Sequence, residues 1–342
     1  MAAIDEGACG LLSLPNEILL NVLGLFSTES VLTFGPVCHR LYGLIQRLLL
    51  HRLQVATALD GHMLFLECGH PSAKWTTSKV YCNFLAAQGL QELISDMRDN
   101  GVRVGHHAVK AAELYCRFKP MNKEPDFISI RRPHPAGDVP GSRTFVTPET
   151  AAAKAALLSD PSAAVTRTIT VDSHELFSQL STVGYLGRRE PLRGLLGSIQ
   201  EVCDGTIRVW RDWLSKHCQS KRWTDGEPIV IHHEGESAKG KARSGSLAAG
   251  MHPRDDPSIL WVNNTRGEQV GLKLKVKEQK WQRDNPILFA SDIEVPVSYL
   301  VELEEVVVST TFLLLKIEKA RAQNLNQSGK AIIFGNFIDQ DR

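Results

Sequence analysis

The chain has 342 residues, 43% of them apolar, which suffices for a substantial core and excludes an intrinsically disordered protein. Lys and Arg number 39 against 38 Asp and Glu, so the summed field draws the chain neither to nucleic acid nor to an anionic membrane, and partners have to be selected by local patches. Seven cysteines, odd in number and without CxxC spacing, fit reduced thiols in cytosol or nucleus, and no apolar run approaches the roughly 20 residues of a membrane-spanning helix. Asp5 and Glu6 stand where a secretory leader carries basic residues, so export is not expected.

From Leu14 the sequence reads Leu14-Pro15-Asn16-Glu17-Ile18-Leu19. The series Ile18, Leu19, Val22, Leu23 and Phe26 follows one face of an α-helix whose first turn suits Pro15. Ser27 is placed to cap a second short helix with Glu29 in its first turn. Gly35-Pro36 end that helix, and a third begins at Val37 with Leu41, Leu44, Ile45, Leu48 and Leu49 on one face, continuing to about Leu53. So small a unit buries too little surface to hide all of these residues internally, so some have to meet another surface.

Leu14-Pro15-x-Glu17-Ile18-Leu19, a middle Leu32 and Val37-Cys38-x-x-Leu41 together resemble an F-box. The family often has Trp where Leu41 stands. The resemblance covers residues 11–53 and implies a three-helix motif that docks on a Skp-type adaptor of a cullin-RING ubiquitin ligase. It also implies that the remainder of the chain captures the protein to be ubiquitinated, with no cofactor and no catalysis by the chain itself. Carried over by position, the adaptor contacts are Leu14, Pro15, Ile18, Leu32, Val37 and Cys38.

Further along, Gly61, Gly69 and Pro71 mark residues 54–79 as a connection. The spacing predicts helices over about Val80 to Met97 and His107 to Phe118, then a short strand at Asp126 to Ile130. Residues 131–143 hold three prolines and two glycines and read as an exposed loop, and Thr147-Pro148 opens an alanine-rich helix. A strand at Thr168 to Val171 precedes a helix carrying Leu176, Phe177 and Leu180. The strongest amphipathic stretch runs from Leu192 to Leu214 at near-helical spacing, open to division into two helices at Gly205, with Trp210 and Trp213 read as core.

After Pro228 the character changes to short β-branched segments. Ile229 to His232, Ile259 to Val262, Val270 to Val276 and Ile287 to Ala290 predict a small antiparallel sheet, with a hairpin turn at Asn263 to Gly267. A polar excursion occupies 234–257. From Pro296 to Gly329 the absence of breakers favours one long buried helix, followed by a loose tail at 326–342. The expected class is therefore α+β: an F-box at 11–53, a connection, and a region at 80–325 combining a mixed helical part, a small sheet and a C-terminal helix.

No catalytic or metal constellation emerges. His232-His233 alternate across a strand, Cys68-Gly69-His70 lacks a second ligand pair, Ser244-Gly245-Ser246 lies in the polar excursion, and Gly240-Lys241 lacks the Ser or Thr of a phosphate loop. For a target, Lys273, Lys275 and Lys277 alternate with apolar residues and present a basic row suited to an acidic ligand. Lys216, Lys221 and Arg222 beside Trp223 form a second basic cluster. The alternative reading, an enzyme or scaffold with an F-box-like head, stays open at this stage.

Overall fold

A computed structural model describes residues 11–73, 79–100, 110–121, 164–172, 174–189, 196–223, 230–232, 252–263, 267–281 and 297–325. The head consists of α1 (Asn16–Gly24), α2 (Thr28–Leu32) and α3 (His39–Thr57). Then come β1 (His62–Gly69), β2 (Val80–Gln88), α4 (Leu90–Asn100), β3 (Tyr115–Met121), β4 (Val165–Val171), β5 (Phe177–Arg189) and β6 (Leu196–Trp210). The chain continues through α5 (Arg211–His217), β7 (Ser220–Trp223), β8 (Val230–His232), β9 (Ile259–Trp261), β10 (Val270–Trp281), β11 (Val297–Ser309) and α6 (Thr310–Leu325).

All eleven of these strands belong to one sheet, with the path β6-β5-β1-β2-β3-β11-β10-β7-β8. β3 and β4 lie end to end along one edge of β11, while β7 and β9 share the far edge of β10. Every pairing among the described strands is antiparallel except β7 with β10. The sheet curls until β6, the first strand of the path, meets the residue just past β9: Thr206 and Asn263 form a bridge, with the Asn263 N–H donating to the Thr206 carbonyl at 3.0 Å.

Gly205 makes this approach feasible. A Cβ there would stand 2.6 Å from the Asn263 carbonyl oxygen and 2.8 Å from Val262 Cγ1. Inside the curl, alternate residues of the strands pack together, among them Leu64, Leu66, Val80, Phe118, Ile169, Leu186, Val209, Leu272 and Val301. α6 crosses β5 and β6 and buries Leu313, Leu314, Ile317 and Ala320. Its Lys316 ammonium donates to the Glu201 carbonyl, so the helix also satisfies part of the open β6 edge.

The α+β class, the helical head and a C-terminal helix packed on the sheet are as expected, but the sheet takes in most of the region expected to be helical. Residues 80–88 are a strand, and Gly89, at φ +79°, turns the chain into α4. Residues 115–121 are β3, and Phe177 begins β5 instead of lying on a helix. The connection expected at 54–79 holds the end of α3 and all of β1.

The long amphipathic stretch is β6 followed by the short α5. Opposite β5 the register jumps between Gly184 and Tyr185, leaving Val202 as an extra residue, so Val202 and Cys203 are buried consecutively. Such a bulge imitates the spacing of a helical face. Trp213 packs on the core as expected. Trp210, also expected there, is 49% exposed on the opposite face of the strand from Val209.

The last predicted helix is half strand: Val306 and Val308 face the main core while Val307 packs with Tyr115 and Ile259 on the other side, a two-faced burial that β-branched residues meet as a strand. β8, β9 and β10 agree with expectation, and β10 extends to Trp281. The elements expected at 126–130, 131–143, 147 onward, 287–290 and 326–342, and the excursion as far as 251, lie outside the described residues.

Two glycine substitutions test this packing. Gly205→Val is expected to force β6 from the β9 segment and lower unfolding free energy by about 1–3 kcal/mol. Gly43→Ala, in α3 with nothing within 4 Å of the added carbon, is expected to raise it by about 0.5–1 kcal/mol. Urea unfolding of the full chain measures both; equal midpoints for the two variants would contradict the assigned close approach.

Candidate functional site

In the head, α1 starts directly after Pro15, whose carbonyl accepts from the Leu19 N–H at 3.1 Å. Ser27 caps α2 as expected, its hydroxyl accepting from the Ser30 N–H at 3.3 Å. Cys38 does the same for α3 through its sulfur, which receives the Leu41 N–H at 3.4 Å. Arg40 ties the first turn of α3 to the start of α1, donating to the Asn16 side-chain oxygen at 3.0 Å and to the Leu14 carbonyl at 2.7 Å.

Leu19, Leu23, Val31, Leu41, Leu44 and Ile45 form the core of the head. Leu41 is inside it, so the smaller residue at that position alters internal packing rather than the outer surface. Of the residues expected to touch an adaptor, Pro15, Ile18, Leu32 and Val37 are exposed, Val37 by 64%. Leu14 and Cys38 are half-buried against the core.

Sequence spacing extended the apolar face of the first helix to Phe26, but α1 ends at Gly24 and leaves Leu25 (87% exposed) and Phe26 in solvent, Phe26 edge-on to Phe34 at 5.7 Å. Leu11 is exposed too, and six of the nine exposed large apolar residues among those described fall in the head. This concentration is far above scattered surface leucines. The opposite side of the head is covered, because α3 lies along α6.

The basic row on β10 has acidic company. Lys277 pairs with Glu302 at 2.8 Å and Lys273 with Glu304 at 3.7 Å, while Lys275 stands opposite Glu302 in the β11 register. In the second cluster, Arg222 pairs with Glu278 at 3.2 Å. A different surface is less compensated: Leu176 is 70% exposed, Phe177 and Trp210 pack at 5.2 Å, and the exposed Arg208 guanidinium lies 5.4 Å from the Phe177 ring centre. No carboxylate of the described residues pairs with Arg208. Sequence reasoning missed this cluster because it placed Leu176 and Phe177 on one predicted helix and Trp210 in the core of another.

Among the described residues no group of three or more His, Cys, Asp or Glu is arranged to hold a metal ion. Cys68 is buried, with Thr182 donating to its sulfur, whereas His70 is exposed and bonded to Ser72. The other half of the His232-His233 pair lies outside the described residues. A cavity of about 430 Å³ lined by His51, Gln54, Val55, Ala58 and Arg321 opens where α3 meets α6, and its lining is mainly apolar.

Burial disfavours the thiolate form of the interior cysteines. Burial pushes Cys68 and Cys116 up to about 11 and Cys203 up to about 12 from an ordinary value of 9.0, and Cys82 is raised further by burial and by its neighbour Cys203.

Residues 11–53 match the F-box domain family, so the head defined by this geometry is an F-box domain. No curated protein and no solved structure matches the chain, and nothing identifies the C-terminal region. F-box domains bind Skp-type adaptors and through them the cullin scaffold. None of the described helices is long and apolar enough to cross a membrane.

The thiols give a pH prediction with a definite sign. The unfolded chain ionises its cysteines from about pH 9, but the native core keeps them protonated to about 11, so the unfolded state binds fewer protons in that window. Stability is therefore expected to be insensitive to thiol ionisation below about pH 9 and to fall as pH rises toward about 11. Urea midpoints measured across that range check it; Cys203→Ala should reduce the fall, and a fall unchanged in that variant would contradict the assignment.

Proposed function

We propose that the chain is a substrate-recognition subunit of an SCF-type ubiquitin ligase, engaging a Skp-type adaptor through residues 11–53 and a target protein through the sheet-bearing region, residues 80–325. The observation that carries this reading is the uncovered apolar face of the head, with Pro15, Ile18, Leu32 and Val37 facing solvent while α3 faces the body. Leu14 and Cys38 complete the proposed contact at its border with the core. Burial of such a face contributes about 25 cal/mol for each Å² removed from water, so several side chains of this size supply a substantial part of an adaptor affinity.

The chain itself supplies proximity, holding a target lysine near a charged ubiquitin carrier, and adds no chemistry of its own. Leu14→Ala with Pro15→Ala is expected to abolish co-purification of the adaptor while the circular dichroism of the full chain is retained. Full adaptor recovery by that variant would remove the assignment and favour a head with another purpose.

For the target, the Leu176, Phe177, Arg208 and Trp210 surface is the favoured face, because its apolar area is uncovered and no described carboxylate pairs with its cation. The Lys273, Lys275 and Lys277 row is the second, since an acidic ligand there competes with Glu302 and Glu304. Comparing proteins captured by Arg208→Glu/Trp210→Ala and by the triple Lys→Glu variant, using quantitative mass spectrometry, ranks them. Loss of captured proteins is expected for the first variant; loss confined to the triple variant reverses the ranking.

A further inference from the structure

α2 has five residues, too few to persist by its own hydrogen bonds. Part of its N-terminus is satisfied locally by Ser27. The rest comes from the far end of the chain: Glu318 of α6 accepts the Thr28 N–H at 3.0 Å and the Thr28 hydroxyl at 2.6 Å. Arg52 of α3 donates to the same carboxylate at 3.2 Å and to the Thr28 hydroxyl oxygen at 2.8 Å. Its other terminal nitrogen donates to the carbonyls of Gly24, at 3.2 Å, and Phe26, at 2.6 Å.

One carboxylate on the C-terminal helix thus binds the start of α2, the middle of α3 and, through Arg52, the exit of α1. Thr28 is 4% exposed, and the Arg52 and Glu318 side chains are 13% and 22% exposed, so water has little access to the network. Lys319 and Glu29 add an exposed ion pair at 3.5 Å on its rim.

The apolar contact of α3 with α6 sets a distance but tolerates sliding, whereas short directional bonds to one carboxylate are satisfied in a single geometry. Glu318 is also tied to the sheet. It stands eight residues into a helix that leaves β11 without an intervening loop, about 12 Å along the axis.

We propose that Glu318, acting through Thr28 and Arg52, is a positioning residue that fixes the adaptor-docking head in one orientation on the sheet domain, and thereby limits which lysines ubiquitin reaches. The inference rests on the adaptor reading for its consequence, but the orientation itself is measurable without an adaptor.

The experiment uses the full chain with non-canonical spin-label residues at Arg47 and Lys119, both exposed, one in the head and one in the sheet. Double electron–electron resonance is expected to give a narrow distance distribution in the parent chain. It should broaden in Glu318→Ala at a temperature where circular dichroism shows both folded, and be partly restored in Glu318→Gln, which keeps an acceptor oxygen but not the charge.

In a reconstituted ligase, peptide mapping of ubiquitin on the chain's own lysines should show a few favoured sites in the parent and a dispersed pattern in Glu318→Ala. The initial rate at the favoured sites should be lower by about tenfold. Should Glu318→Ala unfold the head, Arg52→Lys, which cannot reproduce the fork of bonds to Glu318 and to the Gly24 and Phe26 carbonyls, supplies the same comparison. A narrow distribution and an unchanged lysine map in folded Glu318→Ala or Arg52→Lys would overturn the proposal. Loss of adaptor binding in the parent chain itself would instead overturn the ligase reading and leave the distance result standing.

Discussion

Strand β11 passes into α6 between Ser309 and Thr310 without a loop, and most of the architecture is built on that passage. The strand pairs with β3 and β4 along one edge and β10 along the other, so it is held on both sides. The helix that leaves it carries this rigidity across β5 and β6 to the head. The turn is fixed by backbone bonds from neighbouring segments: Ser309 donates to the Gln269 carbonyl at 2.8 Å and Thr310 to the Leu114 carbonyl at 2.9 Å. Buried N–H groups at a strand-to-helix junction need partners, and here the adjoining strands provide them.

The same helix accounts for which side of the head is open. α3 uses one side to pack on α6 and the other to enclose Leu19, Leu23 and Val31, leaving no further element among the described residues to cover Ile18, Leu32 and Val37. The unit is too small to remove all of its apolar area from water internally. The sheet domain behaves in the opposite way: its curl fills the interior with side chains, and α6 and the Thr206–Asn263 bridge leave less of β6 exposed as an open edge. A head with an uncovered apolar face and a packed body follow from those two solutions to the burial of apolar surface.

The head was legible because its signals are local. Pro15 at a helix start, Ser27 as a cap and the Gly35-Pro36 break act within a few residues, and the structure realises each nearly where the spacing puts it. Much of the sheet was not legible, for identifiable reasons. The bulge at Val202 produced consecutive buried residues that mimic a helical face, and strand-to-helix changes at Gly89 and Thr310 lie inside apolar runs with weak or absent punctuation. Trp210 was read as core because it is an aromatic residue in phase with an apolar helical face, yet the alternation of a strand turns it outward.

By itself the sequence determined a reduced, near-neutral α+β chain, the three-helix head with its family resemblance, and the β-branched segments that become β8, β9 and β10. Only tertiary structure decided that residues 80–88 and 196–210 are strands, that the lysines of β10 meet the glutamates of β11, and that Glu318 reaches Thr28. Helix caps and turns are fixed by interactions a few residues apart, whereas strand partners, register and a carboxylate 290 residues from the N–H it accepts are fixed by which surfaces the folded chain brings together.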